Sequence, residues 1–83
     1  MKKSILVVGQ QGSGKTTKLK QLLSQQQTDF VLDGAVSTEQ IESVHLKAVE
    51  VNSFAVVSTQ LSESALPKEL LSNFEIVHCE RSL

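Results

Sequence analysis

At 83 residues, 40% of them hydrophobic, the chain fits one domain spanning 1–83 and leaves no room for a second. Three phenylalanines are its only aromatic residues, so the core must be built from Ile, Leu, Val and Ala. A net charge of −1 excludes an overall basic field for nucleic acid or an anionic membrane, the single cysteine excludes an internal disulfide, and no apolar run is long enough to span a bilayer.

The run Ile5-Leu6-Val7-Val8 is continuous and apolar and ends at Gly9, which predicts a strand buried on both faces of a parallel sheet. The two lysines before it imitate a signal peptide, but four apolar residues fall far short of a secretory core, and a cytoplasmic location is expected. Leu19, Leu22 and Leu23 recur at helical spacing, so an amphipathic helix is expected from Lys15 to about Gln26. Phe30-Val31-Leu32 is a second strand closed by Asp33-Gly34. A second helix starts at Ser37, with Gln40 completing a capping box and Ile41, Val44, Ala48 and Val49 as its apolar stripe. Phe54-Ala55-Val56-Val57 forms the third strand, closed by Ser58-Thr59-Gln60. A third helix runs from about Pro67 to Asn73, with Leu70 and Leu71 facing inward, and Ile76-Val77-His78-Cys79 is the fourth strand. Strands alternating with helices predict an α/β fold: a four-stranded parallel sheet in three α/β/α layers, connected by right-handed crossovers.

Charge is unevenly spread. All five lysines before residue 29 (Lys2, Lys3, Lys15, Lys18 and Lys20) stand without an acid, and all nine acids lie at Asp29 or later. That positive end coincides with Gly9-Gln10-Gln11-Gly12-Ser13-Gly14-Lys15-Thr16, which fits GxxxxGK[ST] at every fixed position. By average residue usage the pattern arises at roughly one start in 25,000. Its spacing has a chemical reason. Glycines let successive backbone N–H groups turn into one concavity that holds anionic oxygens. The helix that follows aims its unpaired N–H groups and dipole at the same anion. Lys15 can then reach the β- and γ-phosphates, and the Thr16 hydroxyl can ligate Mg²⁺.

In these residues the chain resembles the P-loop NTPase superfamily. The resemblance implies ATP and Mg²⁺ as cofactors, a nucleotide contact surface running from Gly9 through Thr17, and hydrolase chemistry. It implies that Asp33, at the end of an apolar strand, holds the metal together with Thr16, although Asp-Gly is also a strong turn signal by itself. Gly34 departs from the pattern, because many P-loop ATPases carry a glutamate directly after that aspartate to polarise the attacking water. Fast hydrolysis is therefore not expected. Glu39 and Glu42 lie on the second helix and read as surface acids. The base-reading Asn-Lys-x-Asp motif of P-loop GTPases is absent, which favours ATP over GTP.

The third strand's Thr59-Gln60 ending, followed by Leu66-Pro67 and Asn73, looks like the FtsK–HerA group of DNA-pumping and conjugative-coupling ATPases. That likeness implies that Gln60 contacts the γ-phosphate or the water, making Lys15, Asp33 and Gln60 the catalytic set. It also implies the sheet order fourth, first, third, second (4-1-3-2). The group's domains are much larger, and no insertion here could line a DNA channel. DNA is thus a partner by resemblance alone, while unpaired sheet edges point to a homo-oligomer or a larger protein partner.

Two functions compete: a slow ATPase, as a motor core linked to DNA or macromolecule transport, and a non-hydrolysing nucleotide module that controls oligomerisation or partner choice. A small-molecule kinase would need a lid and arginines, and Arg81 is the only arginine. Arg81 reads as a solvated tail residue, with an arginine finger as its functional alternative. His45 reads as a boundary core residue. His78 and Cys79 are adjacent in a strand and point to opposite faces, so they form no metal site.

Overall fold

The computed structural model describes residues 3–9 and 14–79. Four strands, β1 (Ser4–Val8), β2 (Phe30–Ala35), β3 (Ala55–Thr59) and β4 (Phe74–His78), alternate with helices α1 (Lys15–Gln25), α2 (Thr38–Glu50) and α3 (Lys68–Leu71). All pairings are parallel, and the neighbour order is β2-β3-β1-β4. Counted from the β4 edge the same sheet reads 4-1-3-2, so β3 separates β1 from β2.

The strand alternation builds two cores. Ile5, Val7 and Val56 turn to one face and pack with Leu19, Leu22 and Leu23 of α1. Leu6, Val8, Ala55 and Val57 turn to the other and pack with Ile41 and Ala48 of α2 and Leu70 of α3. The result is three layers, with α1 alone on one side. β1 and β3 lie in the middle and are buried along their whole length, as continuous apolar runs require.

Several boundaries differ from the sequence expectation. β4 begins at Phe74 and ends at His78, two residues earlier at its start and one earlier at its end than the Ile76–Cys79 run. Phe74 is the buried residue of this strand, its ring tilted by 45° with its centre 5.0 Å from that of the His45 ring of α2, while Glu75 is exposed. α3 is only Lys68–Leu71, and a 3₁₀ turn at Glu63–Ala65 precedes it. On α2 the inward stripe is narrower than expected: Ile41 and Ala48 are buried, but Val49 is 44% exposed.

The largest difference is in β2. Asp33-Gly34 does not close the strand. β2 continues to Ala35 through a register shift, in which Leu32 faces Val57 and Ala35 faces Thr59. Three steps on β2 thus match two on β3, so one extra residue is accommodated as a bulge. Gly34 makes this possible by adopting φ +84°, a conformation that costs glycine little.

α2 starts as the capping box predicts, with a variation. Ser37 Oγ accepts the Gln40 N–H at 3.4 Å, and Gln40 Oε1 accepts the N–H of Val36, one residue before the cap, at 2.8 Å. At the opposite end of the sheet Ser4 is fully buried; its Oγ accepts the Ala55 N–H at 3.0 Å and meets His45 Nδ1 at 2.7 Å. His45 therefore sits at the core boundary, and desolvation pushes its pKa below the usual imidazole value. No helix among the described residues is long and apolar enough to cross a membrane.

Candidate functional site

Because all four strands are parallel, their carboxyl ends meet at one rim, where ligands of open α/β sheets bind. The last rung across the sheet is Ala35–Thr59–Val8–His78. Gly9, Gln60 and Cys79 each follow it by one residue, so the exit of β1 lies between Gln60 and Cys79. The Cys79 N–H donates to the Val8 carbonyl at 2.8 Å, extending that ladder past the rung.

Gln10, Gln11, Gly12 and Ser13 lie outside the described residues, as does Arg81. The descending limb of the loop is described. Gly14 is the N-cap of α1 at φ +87°, and its carbonyl accepts the Lys18 N–H at 3.0 Å. A Cβ there would come 4.0 Å from Cys79 Sγ, which is ordinary contact, so glycine is required by the backbone angle and not by crowding. Gly14, the N-cap, has no side chain to cap α1, and the helix's first turn carries no acid, in contrast to α2 with Ser37 and Glu39. The first turn of α1 therefore carries no acid of its own to offset the positive end of the helix dipole. Lys15 opens the helix and is 9% exposed, while Thr16 and Thr17 are exposed.

Thr16 and Asp33, 17 residues apart in sequence, meet at the rim: Thr16 Oγ1 donates to Asp33 Oδ2 at 3.3 Å. Both expected metal-holding residues therefore face the same point. The Asp33 carboxylate is also held from the other side, because Ser58 Oγ donates to Oδ1 at 2.6 Å and accepts the Gly34 N–H at 2.8 Å. Ser58 had no place in the sequence-level site. One signal was available: strand alternation from Val56 puts Ser58 on the α1 side of a central strand, where a buried polar residue needs a reason. Its neighbour Thr59 faces the opposite layer, where its hydroxyl donates to the Ala35 carbonyl at 2.8 Å and accepts the Leu61 N–H at 3.1 Å.

Gln60 is exposed and follows the last residue of β3, so it stands on the same rim. His78, at the end of β4, pairs instead with Glu63 at 3.2 Å across an exposed position. Glu39 and Glu42 are exposed on α2, which lies against the far face of the sheet from α1.

Among the described residues there is no group of three His, Cys, Asp or Glu able to hold a metal ion by themselves. A site of one carboxylate and one hydroxyl fits Mg²⁺, which keeps several waters and takes its other ligands from substrate phosphates. Comparison with known proteins finds no matching family model, no matching curated protein and no matching solved structure.

Proposed function

We infer that the chain binds a Mg²⁺–nucleoside triphosphate, ATP by preference, at the carboxyl rim of the sheet. One observation supports this above the rest: Thr16, immediately after the Gly14-Lys15 pair, reaches the carboxylate of Asp33 on a different strand. The helix that follows the glycine-rich turn thereby presents a hydroxyl beside a carboxylate, the pair of oxygen donors that a Mg²⁺–phosphate would take. In this reading the loop from Gly9 to Thr17 surrounds the phosphates and Lys15 neutralises β- and γ-oxygens. Thr16 and Asp33 hold the metal, which supplies charge neutralisation on the phosphates. Gln60 orients water at the γ-phosphate.

Slow hydrolysis suits these residues better than fast turnover. Gly34 stands where a catalytic glutamate would, so that position presents no acid, and its φ of +84° favours glycine there. The same observation favours a second reading, a module that binds without turnover and switches oligomer or partner. Membership of a DNA- or macromolecule-transport machine rests on the FtsK–HerA resemblance alone, which spans residues 4–80 and is carried by the Asp33-to-Gln60 spacing, Thr59-Gln60, Leu66-Pro67 and Asn73.

Calorimetric titration with ATP, ADP and GTP, followed by phosphate release, tests these readings. Wild type is expected to bind Mg²⁺–ATP, and Lys15→Ala to lose that binding by about tenfold or more, the loss expected for a hydrogen bond to a charged group. No heat from any triphosphate would end the nucleotide reading. Binding with no phosphate release above Lys15→Ala would leave the non-hydrolysing module.

A further inference from the structure

Metal binding by Thr16 and Asp33 leaves the fully buried Ser58 unexplained. We propose that Ser58 is a positioning residue, which fixes the Asp33 carboxylate in the orientation that serves the metal–triphosphate; this rests on the nucleotide-binding reading above. A serine hydroxyl has one hydrogen and two lone pairs. The Gly34 N–H donates to Ser58 Oγ at 2.8 Å, so that oxygen is the acceptor there. Its own hydrogen is directed at Asp33 Oδ1, at 2.6 Å. Oδ1 is thereby occupied, and Oδ2 is turned to Thr16.

Asp33 is exposed on an edge strand, where its side chain would by itself sample several rotamers. Ser58 is at 0% exposure in β3, between two paired strands, and cannot follow such motion. The bulge is part of the device. Its register shift takes the Gly34 amide out of the regular ladder and presents it to Ser58, so one hydroxyl fixes both the backbone after Asp33 and the carboxylate itself. Bulges beside functional sites commonly re-aim a side chain in this way.

The test is a Mg²⁺ titration of protein with a fluorescent ATP analogue, repeated in EDTA, for wild type, Ser58→Ala, Ser58→Thr, Asp33→Asn and the Ser58→Ala/Asp33→Asn pair. Loss of a hydrogen-bond partner behind a metal-holding carboxylate weakens metal affinity by about 10- to 100-fold. Ser58→Ala is expected to lose that much of the Mg²⁺-dependent binding while its binding in EDTA stays at the wild-type level. Ser58→Thr, which keeps the hydroxyl, retains the Mg²⁺ response. In the Asp33→Asn background Ser58→Ala adds nothing, because its effect passes through Asp33. An unchanged Mg²⁺ response in Ser58→Ala, an equal loss in both backgrounds, or a folded Ser58→Thr without the response would each overturn the proposal and leave nucleotide binding standing. Wild type that binds no triphosphate would overturn both. Thermal melting without ligand identifies folded variants, and Ser58→Cys, a weak donor of similar size, replaces an alanine variant that does not fold, with the same outcomes.

Discussion

Gly34 shows how much one backbone angle decides. At φ +84° it occupies the left-handed region, yet a Cβ built there meets nothing within 4 Å. Its replacement by alanine therefore costs conformational strain alone, roughly 1–2 kcal/mol. Urea denaturation of Gly34→Ala should show that loss, and unchanged stability would mean that the bulge relaxes without it. His45 gives a pH dependence. Burial lowers its folded pKa, so the folded state disfavours the charged ring. Above 6.5 the ring is neutral in both folded and unfolded chains, and His45 contributes no slope. As pH falls below 6.5 the unfolded chain takes up the proton first, and stability is lost until the lowered folded pKa is passed. The wild-type stability minus that of His45→Gln should decline over that interval; a flat difference from pH 7 to 5 would contradict it.

At the scale of elements, legibility follows burial. β1 and β3 are covered on both faces, so their sequences are unbroken apolar runs and their existence could be read directly. β2 and β4 are edges with mixed faces, and their boundaries were misplaced; so was the end of β3, which runs on through the polar Ser58 and Thr59 where the apolar run stops at Val57. Glu75 interrupts the pattern because β4 has solvent beside it. Asp33-Gly34 imitates a turn because a bulge and a turn need the same left-handed glycine. The signal for α2 was firmer, since its Ser37 cap acts locally, whereas α3, whose N-cap Pro67 makes no side-chain bond, is shorter than the Pro67–Asn73 expected. Removing the Ser37 hydroxyl should destabilise α2, and with it the domain, by about 0.5–1 kcal/mol, the lower part of the usual range, because its 3.4 Å bond is long. A melting curve for Ser37→Ala checks this, and no shift would mean that Gln40 alone caps the helix.

For the whole molecule, size sets the margin. At typical values per residue a chain of 83 residues is stable by only about 4–12 kcal/mol. Leu6 is fully buried in a central strand against α2, and truncation to alanine there should cost about 2–5 kcal/mol. Leu6→Ala should therefore be largely unfolded or melt far below wild type; a variant within a few degrees of wild type would show a core that collapses around the gap. The pairing of sheet neighbours was not readable from periodicity at all, since alternation defines the faces of a strand and says nothing about what lies beside it. Only the likeness carried by Thr59-Gln60 bore on order. The candidate site was half legible: Thr16 and Asp33 could be named as candidates from motif and strand end, while the Ser58 contact to Asp33 depends on which strand lies next to β2.

The bonds at the rim join residues 17 and 25 positions apart along the chain, on one helix and two strands. No local segment contains them: an early α1 would carry Lys15 and Thr16 but neither Asp33 nor Ser58. Closing both of those loops requires β3 to be seated between β1 and β2. Competence at the rim should consequently arise in one step, late, with the closure of the tertiary structure, and vanish in one step when that closure is undone.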